Sequence, residues 1–250
     1  MQRRKFITLT GGAAAVAATW LLAARAQQPA MPVIGFLHAS SRDAYRTRAF
    51  PQGMKETGFI EGENAAIEYR WADDQTDRLA HLAVELVQRR VAVIATGSPP
   101  AAFAAKAATT TIPILFVVGE DPVGLGLVTS LARPGGNLTG INIFTSELAA
   151  KRLELLREVV PGATRIAVLV NPANATQTAS ALRGVEPAAR AMGLQIQVLN
   201  ASTNREIDAV FATLASERPD ALFVSNDAFF VDRRVQLALL AVLHRVPAIY

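Results

Sequence analysis

Short apolar runs alternate with longer amphipathic runs from Pro32 to the end of this 250-residue chain. The short runs, rich in β-branched residues, predict buried strands, and apolar residues three or four positions apart predict helices. Regular alternation of the two indicates an α/β fold in which helices flank parallel sheets. The predicted strands span residues 33–37, 65–69, 91–95, 114–118, 138–143, 166–170, 195–199, 221–224 and 247–250.

Amphipathic helices are predicted between these strands, and the pattern is clearest over residues 76–89. Apolar residues there fall on one stripe at i, i+3, i+4, i+7 and i+8, namely Leu79, Leu82, Ala83, Leu86 and Val87. The other predicted helices span residues 46–57, 101–109, 147–160, a segment ending at 192, 204–216 and 229–244.

Three of these helices contain sequence signals for where the helix begins or where it is interrupted. Thr203 and Glu206 form a capping box, in which each residue bonds a backbone N–H at the start of the helix. Ser146 is the expected cap of the helix that runs to residue 160. Gly184 and Pro187 predict a kink or a break within the helix that ends near residue 192.

The strand and helix pattern restarts after Thr145, which divides the chain into two consecutive sets. We therefore expect two Rossmann-like lobes, residues 31–145 and residues 146–250, with a ligand cleft between them. The last predicted strand reaches the final residue without a closing helix. On the sequence alone, this predicts that the second lobe is incomplete and that the native chain continues.

The first 27 residues have the pattern of an export signal. A basic start at residues 3–5 precedes a moderately apolar stretch, and a small-x-small site at residues 24–26 predicts cleavage after Ala26. The paired Arg3 and Arg4 resemble a twin-arginine signal, although general secretion and a weak membrane anchor are alternatives. The expected location of the mature protein is the periplasm.

The net charge of +4 belongs to this signal segment. Four of the 25 basic residues lie there, so 21 remain to balance the 21 acidic residues of the chain. A neutral mature protein gives no electrostatic reason to expect nucleic acid as a partner. The absence of cysteine excludes disulfides, thiolate metal ligands and a cysteine nucleophile.

Loops that follow the predicted strands are rich in hydroxyl, amide and carboxylate side chains. Ligands of open α/β sheets bind at the carboxyl ends of strands, so these loops indicate a small polar or zwitterionic ligand. Thr96 and Ser98 precede a helix and suit a ligand carboxylate, or they cap that helix and bind nothing. Asp121 and Asp227 suit a ligand ammonium, or they stabilise turns.

Enzyme signatures are weak, and no cofactor is expected. His38, His81 and His244 do not have metal-site spacing, and no dinucleotide fingerprint, phosphate-binding loop or nucleophile elbow occurs. A Ser40 or Ser98 nucleophile activated by His38 is the one catalytic arrangement that the spacing permits. It corresponds to the alternative of an exported α/β hydrolase.

Several segments resemble the ABC transporter substrate-binding proteins of the tryptophan/tyrosine type, which have the type I periplasmic-binding-protein fold. The most specific is GEDPVGLGLVTSLARPGGNLT at residues 119–139, followed by LAAKRLELL at 148–156 and GMKETGFIEG at 53–62. The resemblance covers essentially the whole mature chain. It implies two hinged lobes that close on a small ligand, delivery to an inner-membrane permease and no catalysis. We expect the protein to be a monomer.

The resemblance also implies where the ligand contacts lie. On the first lobe they fall at Ser40, Thr96, Ser98 and Asp121, and on the second lobe at Asn171, Asn174 and Asp227. Aromatic residues expected near the cleft, or alternatively in the core, are Tyr45, Trp71, Phe229 and Phe230. A sensory protein that presents its closed form to a membrane kinase is the main alternative to a transport receptor.

Overall fold

The computed structural model describes residues 31–42, 44–145 and 148–250. The predicted export signal and the predicted helix cap at Ser146 lie outside these residues. Val33–Tyr250 form one compact unit that contains two parallel β-sheets and their helices. Within the described residues, no helix combines the length and apolar character needed to cross a bilayer.

The first sheet has five parallel strands in the order β2-β1-β3-β4-β5. They are β1 (Val33–His38), β2 (Ala66–Trp71), β3 (Val93–Thr96), β4 (Ile114–Val118) and β5 (Leu138–Asn142). The associated helices are α1 (Ala44–Glu56), α2 (Leu79–Gln88) and α3 (Pro99–Ala108), with a 3-10 turn (Thr76–Arg78) leading into α2. This arrangement confirms the predicted parallel α/β sheet.

The second sheet has four parallel strands in the order β7-β6-β8-β9. They are β6 (Arg165–Val170), β7 (Gln195–Asn200), β8 (Ala221–Val224) and β9 (Ala248–Ile249). Its helices are α4 (Ala149–Val159), α5 (Ala175–Met192), α6 (Asn204–Glu217), α7 (Ala228–Asp232) and α8 (Arg234–Leu243). The fold is therefore the predicted pair of α/β lobes, whereas the exact boundary at residues 145 and 146 stays a prediction.

Burial follows the side-chain alternation expected of strands covered on both faces. In β6, Ala167 and Leu169 pack into one apolar cluster, while Ile166, Val168 and Val170 pack into the cluster on the opposite face. In the first lobe, α2 buries the predicted stripe, except that Val87 is only partly buried. These contacts hold the strand ends, and the loops that leave them, in fixed positions.

Two helix predictions need correction in whole or in part. Helix α5 runs unbroken through Gly184 and Pro187, so the predicted break is wrong, whereas a kink stays a prediction; Val185 and Ala189 stay buried against the sheet despite the missing proline N–H. The predicted helix over 229–244 is instead two helices that meet at Arg233, whose backbone leaves the helical region at φ −103° and ψ 14°.

The capping box of α6 is confirmed. Thr203 Oγ1 accepts the Glu206 N–H at 3.2 Å, and the Glu206 carboxylate accepts the N–H groups of Ser202 and Thr203. These bonds pair donors that the first turn of a helix leaves without partners. Hydrogen bonds to the carboxylate also hold the pKa of Glu206 below its usual range, the Ser202 N–H having the largest effect.

Replacing Thr203 with Ala removes the acceptor of this box, so we expect the free energy of unfolding to fall by about 1 kcal/mol. Urea denaturation followed by circular dichroism measures the change. Thr213→Ala in the same helix is the control, because the Thr213 hydroxyl only bonds back to the Ala209 carbonyl. Equal losses in the two variants would contradict the role of the cap.

Candidate functional site

The carboxyl ends of the strands of both sheets supply the polar residues of the cleft. Parallel register places Thr96 of β3 beside Leu37 of β1 and Phe116 of β4, so the loops after these strands leave from one edge. In the second lobe, Leu169 of β6 pairs with Val224 of β8 in the same way. The topology thus gathers short loops that are far apart in the sequence.

A cavity of about 270 Å³ lies between these two sets of loops. Its volume is just below the range typical of sites for drug-sized ligands, which favours a small solute. From the first lobe it is lined by Arg46, Gly97, Ser98, Pro99, Val117, Val118, Gly119, Glu120, Ile143 and Thr145. From the second lobe it is lined by Asn174, Gln177, Asn226, Asp227, Ala228 and Val231.

A second cavity, of about 20 Å³, adjoins the first and shares Ser98, Asn174, Asp227 and Ala228 with it. Its other lining residues are Ala39, Ser40, Asp74, Thr76, Pro100, Asn171, Ala173 and Phe229. Five predicted site residues therefore line one or both cavities, namely Ser40, Ser98, Asn171, Asn174 and Asp227. Thr96 and Asp121 are not among the lining residues.

Asp227 is the central residue among those that the second lobe contributes to the cavities. It follows β8, caps α7 by accepting the Phe229 N–H at 2.9 Å, and is only 2% exposed. Asn171 and Asn174 donate side-chain N–H groups to its two oxygens at 2.9 and 2.8 Å. Burial raises the pKa of Asp227 above its ordinary value, and these neutral hydrogen bonds offset that effect only in part.

The two asparagines are themselves held in place. Asn171 Oδ1 accepts the Ser202 hydroxyl at 2.7 Å and the Ala173 N–H at 3.1 Å. Asn174 Oδ1 caps α5 by accepting the Gln177 N–H at 3.3 Å. Each amide therefore has its oxygen occupied by the backbone or a hydroxyl, which leaves its N–H groups directed at Asp227.

Ser98 does not cap its helix. It is the residue before α3, yet its side chain makes no capping hydrogen bond, and its hydroxyl has no hydrogen-bond partner among the described residues. The side chain is only 4% exposed and lines both cavities. A buried hydroxyl without a partner is costly, so its position favours the ligand-binding alternative over the capping alternative.

The start of α3 offers few donors to an anion. Pro99 and Pro100 occupy its first two positions and carry no backbone N–H. A ligand carboxylate at this end would depend on hydroxyl and guanidinium groups rather than on the helix backbone. Thr96, whose hydroxyl likewise has no partner among the described residues, is buried at the end of β3 behind this loop.

Glu120 lines the cavity where the sequence predicted Asp121. The Asp121 carboxylate is exposed and accepts the N–H groups of Val123 and Gly124, both at 3.0 Å, so it stabilises a turn before Pro122. Its neighbour Glu120 is 3% exposed, and its Oε2 accepts the Gly119 N–H at 3.1 Å. The sequence did contain a signal that Asp121 would not face the cavity, because an Asp before a proline commonly stabilises a turn.

Glu120 Oε1 has no hydrogen-bond partner among the described residues. Burial raises the pKa of Glu120, backbone N–H groups oppose the rise, and the negative charge of Asp227 adds to it. The two carboxyl groups line the same cavity from opposite lobes. The close packing beneath them requires Gly119, because a Cβ atom at this position would collide with the Thr145 hydroxyl.

Ser40 and His38 form the one hydroxyl and imidazole pair of the sequence prediction that the structure joins. Ser40 Oγ lies 2.8 Å from His38 Nδ1, which also accepts the Ser40 N–H at 3.1 Å. Ser98 has no such bond to His38. Because both Ser40 donors converge on one ring nitrogen, the contact stabilises the turn after β1.

The aromatic residues divide between the core and the cleft. Phe229 lines the smaller cavity, with the Arg233 guanidinium 3.7 Å from its ring centre. Phe230 is buried in the core of the second lobe, and Trp71 packs against Phe36 and His38. Tyr45 is 71% exposed. Among its described lining residues, the larger cavity has no aromatic side chain.

Two ion pairs join the lobes beside the cavities. Arg46 of α1 pairs with Asp232 at the end of α7, and Arg233 donates to Asp74, which follows β2, at 2.9 Å. All four side chains are largely buried. Burial raises the pKa of Asp74, and Arg233 opposes that rise. Adjacent residues of opposite charge in the second lobe thus contact two separate elements of the first.

Fold and cleft together define a two-lobed α/β protein with a small cavity between its lobes. The described residues contain no group of three or more side chains suited to a metal ion. The chain belongs to the family of ABC transporter substrate binding proteins, since the model of that family matches residues 30–250.

Comparison with individual proteins agrees with this family. The chain is 27% identical over 202 residues to the tyrosine-binding protein of Clostridioides difficile, covering 81% of this chain and 57% of that protein's length. It also resembles the structure of a conserved domain protein of Vibrio cholerae, at 25% identity, a TM-score of 0.75 and coverage of 88% of this chain and 73% of the other.

A second similar structure is an ABC domain from Streptococcus pneumoniae in complex with L-Trp. The TM-score is 0.70 at 21% identity, over 88% of this chain and 73% of that chain. At this identity the likeness shows the shared fold. The family assignment and these folds confirm the type I periplasmic-binding-protein architecture that the sequence segments implied.

The cross-lobe pair of Asp74 and Arg233 is expected to stabilise contact between the lobes. A double-mutant cycle with Asp74→Asn and Arg233→Gln should give a coupling energy of about 1 kcal/mol in urea denaturation. The cycle subtracts the contact of Arg233 with the Phe229 ring. The exposed pair of Lys151 and Glu154 is the control and should couple more weakly. Equal coupling in both cycles would contradict this role.

Proposed function

We propose that this protein is the solute-binding component of an ABC transporter and captures an amino acid in the cleft between its lobes. It acts as a periplasmic monomer that delivers its ligand to an inner-membrane permease. The export signal over residues 1–26 and a lobe boundary at residues 145 and 146 belong to the same proposal. Catalysis has no part in it.

The buried carboxyl group of Asp227 is the observation that carries the proposal. Its described hydrogen-bond partners are all neutral, although it lines a cavity shared by both lobes. Three neutral donors compensate the lost hydration of this carboxylate only in part, since burial still raises the pKa of Asp227. The ammonium group of an amino acid supplies a charge-assisted hydrogen bond at this position.

The first lobe offers groups suited to the ligand's carboxylate. Arg46 is the basic side chain among the described residues that line the larger cavity, and the Ser98 hydroxyl faces the same space. Because α3 begins with two prolines, these side chains rather than the helix backbone recognise the anion. A zwitterionic ligand thereby bridges the lobes, with its ammonium on one and its carboxylate on the other.

A ligand that bridges the two lobes explains how the lobes close. A ligand that contacts both lobes favours the state in which both sets of contacts form. Moving the population from about 1:99 to 99:1 closed requires the ligand to prefer the closed state by about 5.5 kcal/mol. Charge-assisted hydrogen bonds at both ends of an amino acid are of the size needed for such a preference. Named relatives that bind tyrosine or L-Trp support an amino acid as the ligand class.

Calorimetric titration of the purified protein with the twenty amino acids and small carboxylates tests the ligand class. For any solute that binds, Asp227→Asn should weaken the affinity by about 100-fold, because the ammonium loses its charged partner. Asp121→Asn is the matched control and should leave the affinity unchanged, since Asp121 lies in an exposed turn. Absence of binding across the whole panel would overturn the amino-acid proposal.

The affinity should also depend on acid pH. The ionised carboxylate of Asp227 binds the ammonium, so protonation of the carboxylate removes the attraction, whereas the ammonium itself stays charged. Burial raises the pKa of Asp227, and binding is therefore lost as the pH falls, beginning above the ordinary Asp value of 3.8. Glu120 and Asp74, whose pKa values burial also raises, titrate in the same direction. Calorimetry between pH 7 and pH 4 measures the loss, and constant affinity over that range would contradict it.

A further inference from the structure

The cleft has more acidic than basic side chains. Charged side chains that line the two cavities are Arg46, Asp74, Glu120 and Asp227, and the ion-pair partners of two of them are Asp232 and Arg233. In this described part of the chain, four acidic side chains thus face two basic ones. Both arginines are engaged by Asp232 and Asp74, which leaves Glu120 and Asp227 without a cationic partner of this set.

A zwitterionic amino acid does not remove this imbalance. Its ammonium compensates Asp227, but its carboxylate adds a negative charge at the Arg46 end of the cavity. Glu120 then remains a buried carboxyl group with an oxygen that no described residue bonds. A buried carboxylate without a compensating charge is costly and tends to take up a proton, whereas a second positive charge on the ligand would allow Glu120 to stay ionised.

Accepting the proposed amino-acid function, we propose that the ligand is an α-amino acid with a basic side chain, whose terminal nitrogen donates to Glu120 Oε1. Lysine and ornithine are the simplest members of this class. Glu120 is then the residue that determines specificity, while Asp227 receives the α-ammonium group. The other described polar lining residues are hydroxyl and amide groups, which hydrogen-bond equally well to neutral side chains.

Three further observations fit a basic side chain. The described residues that line the larger cavity include no aromatic ring, so nothing there stacks on an indole or a phenol. Val117, Val118, Ile143 and Val231 provide apolar contacts suited to the methylene groups of a lysine or ornithine side chain. Finally, burial and the charge of Asp227 raise the pKa of Glu120, and a ligand cation between the two carboxyl groups would lower it again.

The test compares L-lysine with L-norleucine, which has the same chain without the ε-ammonium group. Calorimetry on the purified wild-type protein should show lysine binding about ten-fold to hundred-fold tighter, the range of one charge-assisted hydrogen bond. Glu120→Gln should remove most of this preference, so that the variant binds lysine and norleucine with similar affinities. Asp121→Asn, one residue away in the exposed turn, should keep the full preference.

The outcomes separate this inference from the proposed function. Wild-type protein that binds norleucine, tyrosine or tryptophan as tightly as lysine overturns the basic ligand class and leaves an amino-acid receptor. A lysine preference that persists in Glu120→Gln overturns the role of Glu120, provided that the thermal unfolding midpoint confirms a folded variant. If the wild-type protein binds no amino acid at all, both the proposed amino-acid function and the basic ligand class are overturned. The titration of the wild-type protein is sufficient for that conclusion.

Discussion

A buried carboxyl group held by neutral donors is the constraint on which the rest of the cleft depends. Asp227 sits at the end of β8, where the chain must turn into α7, and it satisfies that helix start with one of its own oxygens. Asn171 and Asn174 come from the loop after β6 and must approach closely to donate to it. Three loop positions are therefore fixed relative to one another by a single buried group.

That group also explains why several polar residues are where they are. Ser202 orients Asn171, and the start of α5 orients Asn174, so the positions of two neighbouring helices depend on Asp227 indirectly. Removing any one of these side chains would leave a buried donor or acceptor without a partner, which costs more than the bond itself contributes. Coupled networks of this kind favour a single arrangement of the site.

Periodicity was sufficient to predict the fold because it reflects burial on sheet faces. The strands at residues 114–118 and 221–224 were predicted to the residue, and the ends of the other strands differ by at most two positions. The continuity of helix α5 was harder to predict from the sequence, because the tertiary packing of Val185 and Ala189 outweighs the local effect of Pro187. The break lies at Arg233, whose side chain bonds Asp74 of the other lobe, a contact that no pattern within the helix could indicate.

The residues of the candidate site were predictable only where a residue's position after a strand determines the direction of its side chain. Asp227 and Ser98 follow their strands within three residues, and both line the cavities. Glu120 and Asp121 are adjacent, so their opposite orientations depend on the turn at Pro122, which uses the second carboxylate and leaves the first buried. Arg46 and Asp232 come from helices in different lobes, and no spacing in the sequence could have paired them.

The two prolines at the start of α3 have a consequence for how such a cleft diversifies. Helix N-termini commonly recognise anions through the backbone, which point substitutions of side chains do not alter. Here that backbone lacks its first two donors, so in the proposed function side chains of the loops after the strands recognise the ligand's charge. On that proposal, exchanges at positions 98 and 120 would redirect the same scaffold toward acidic, neutral or basic solutes while the hydrogen bonds around Asp227 stay unchanged.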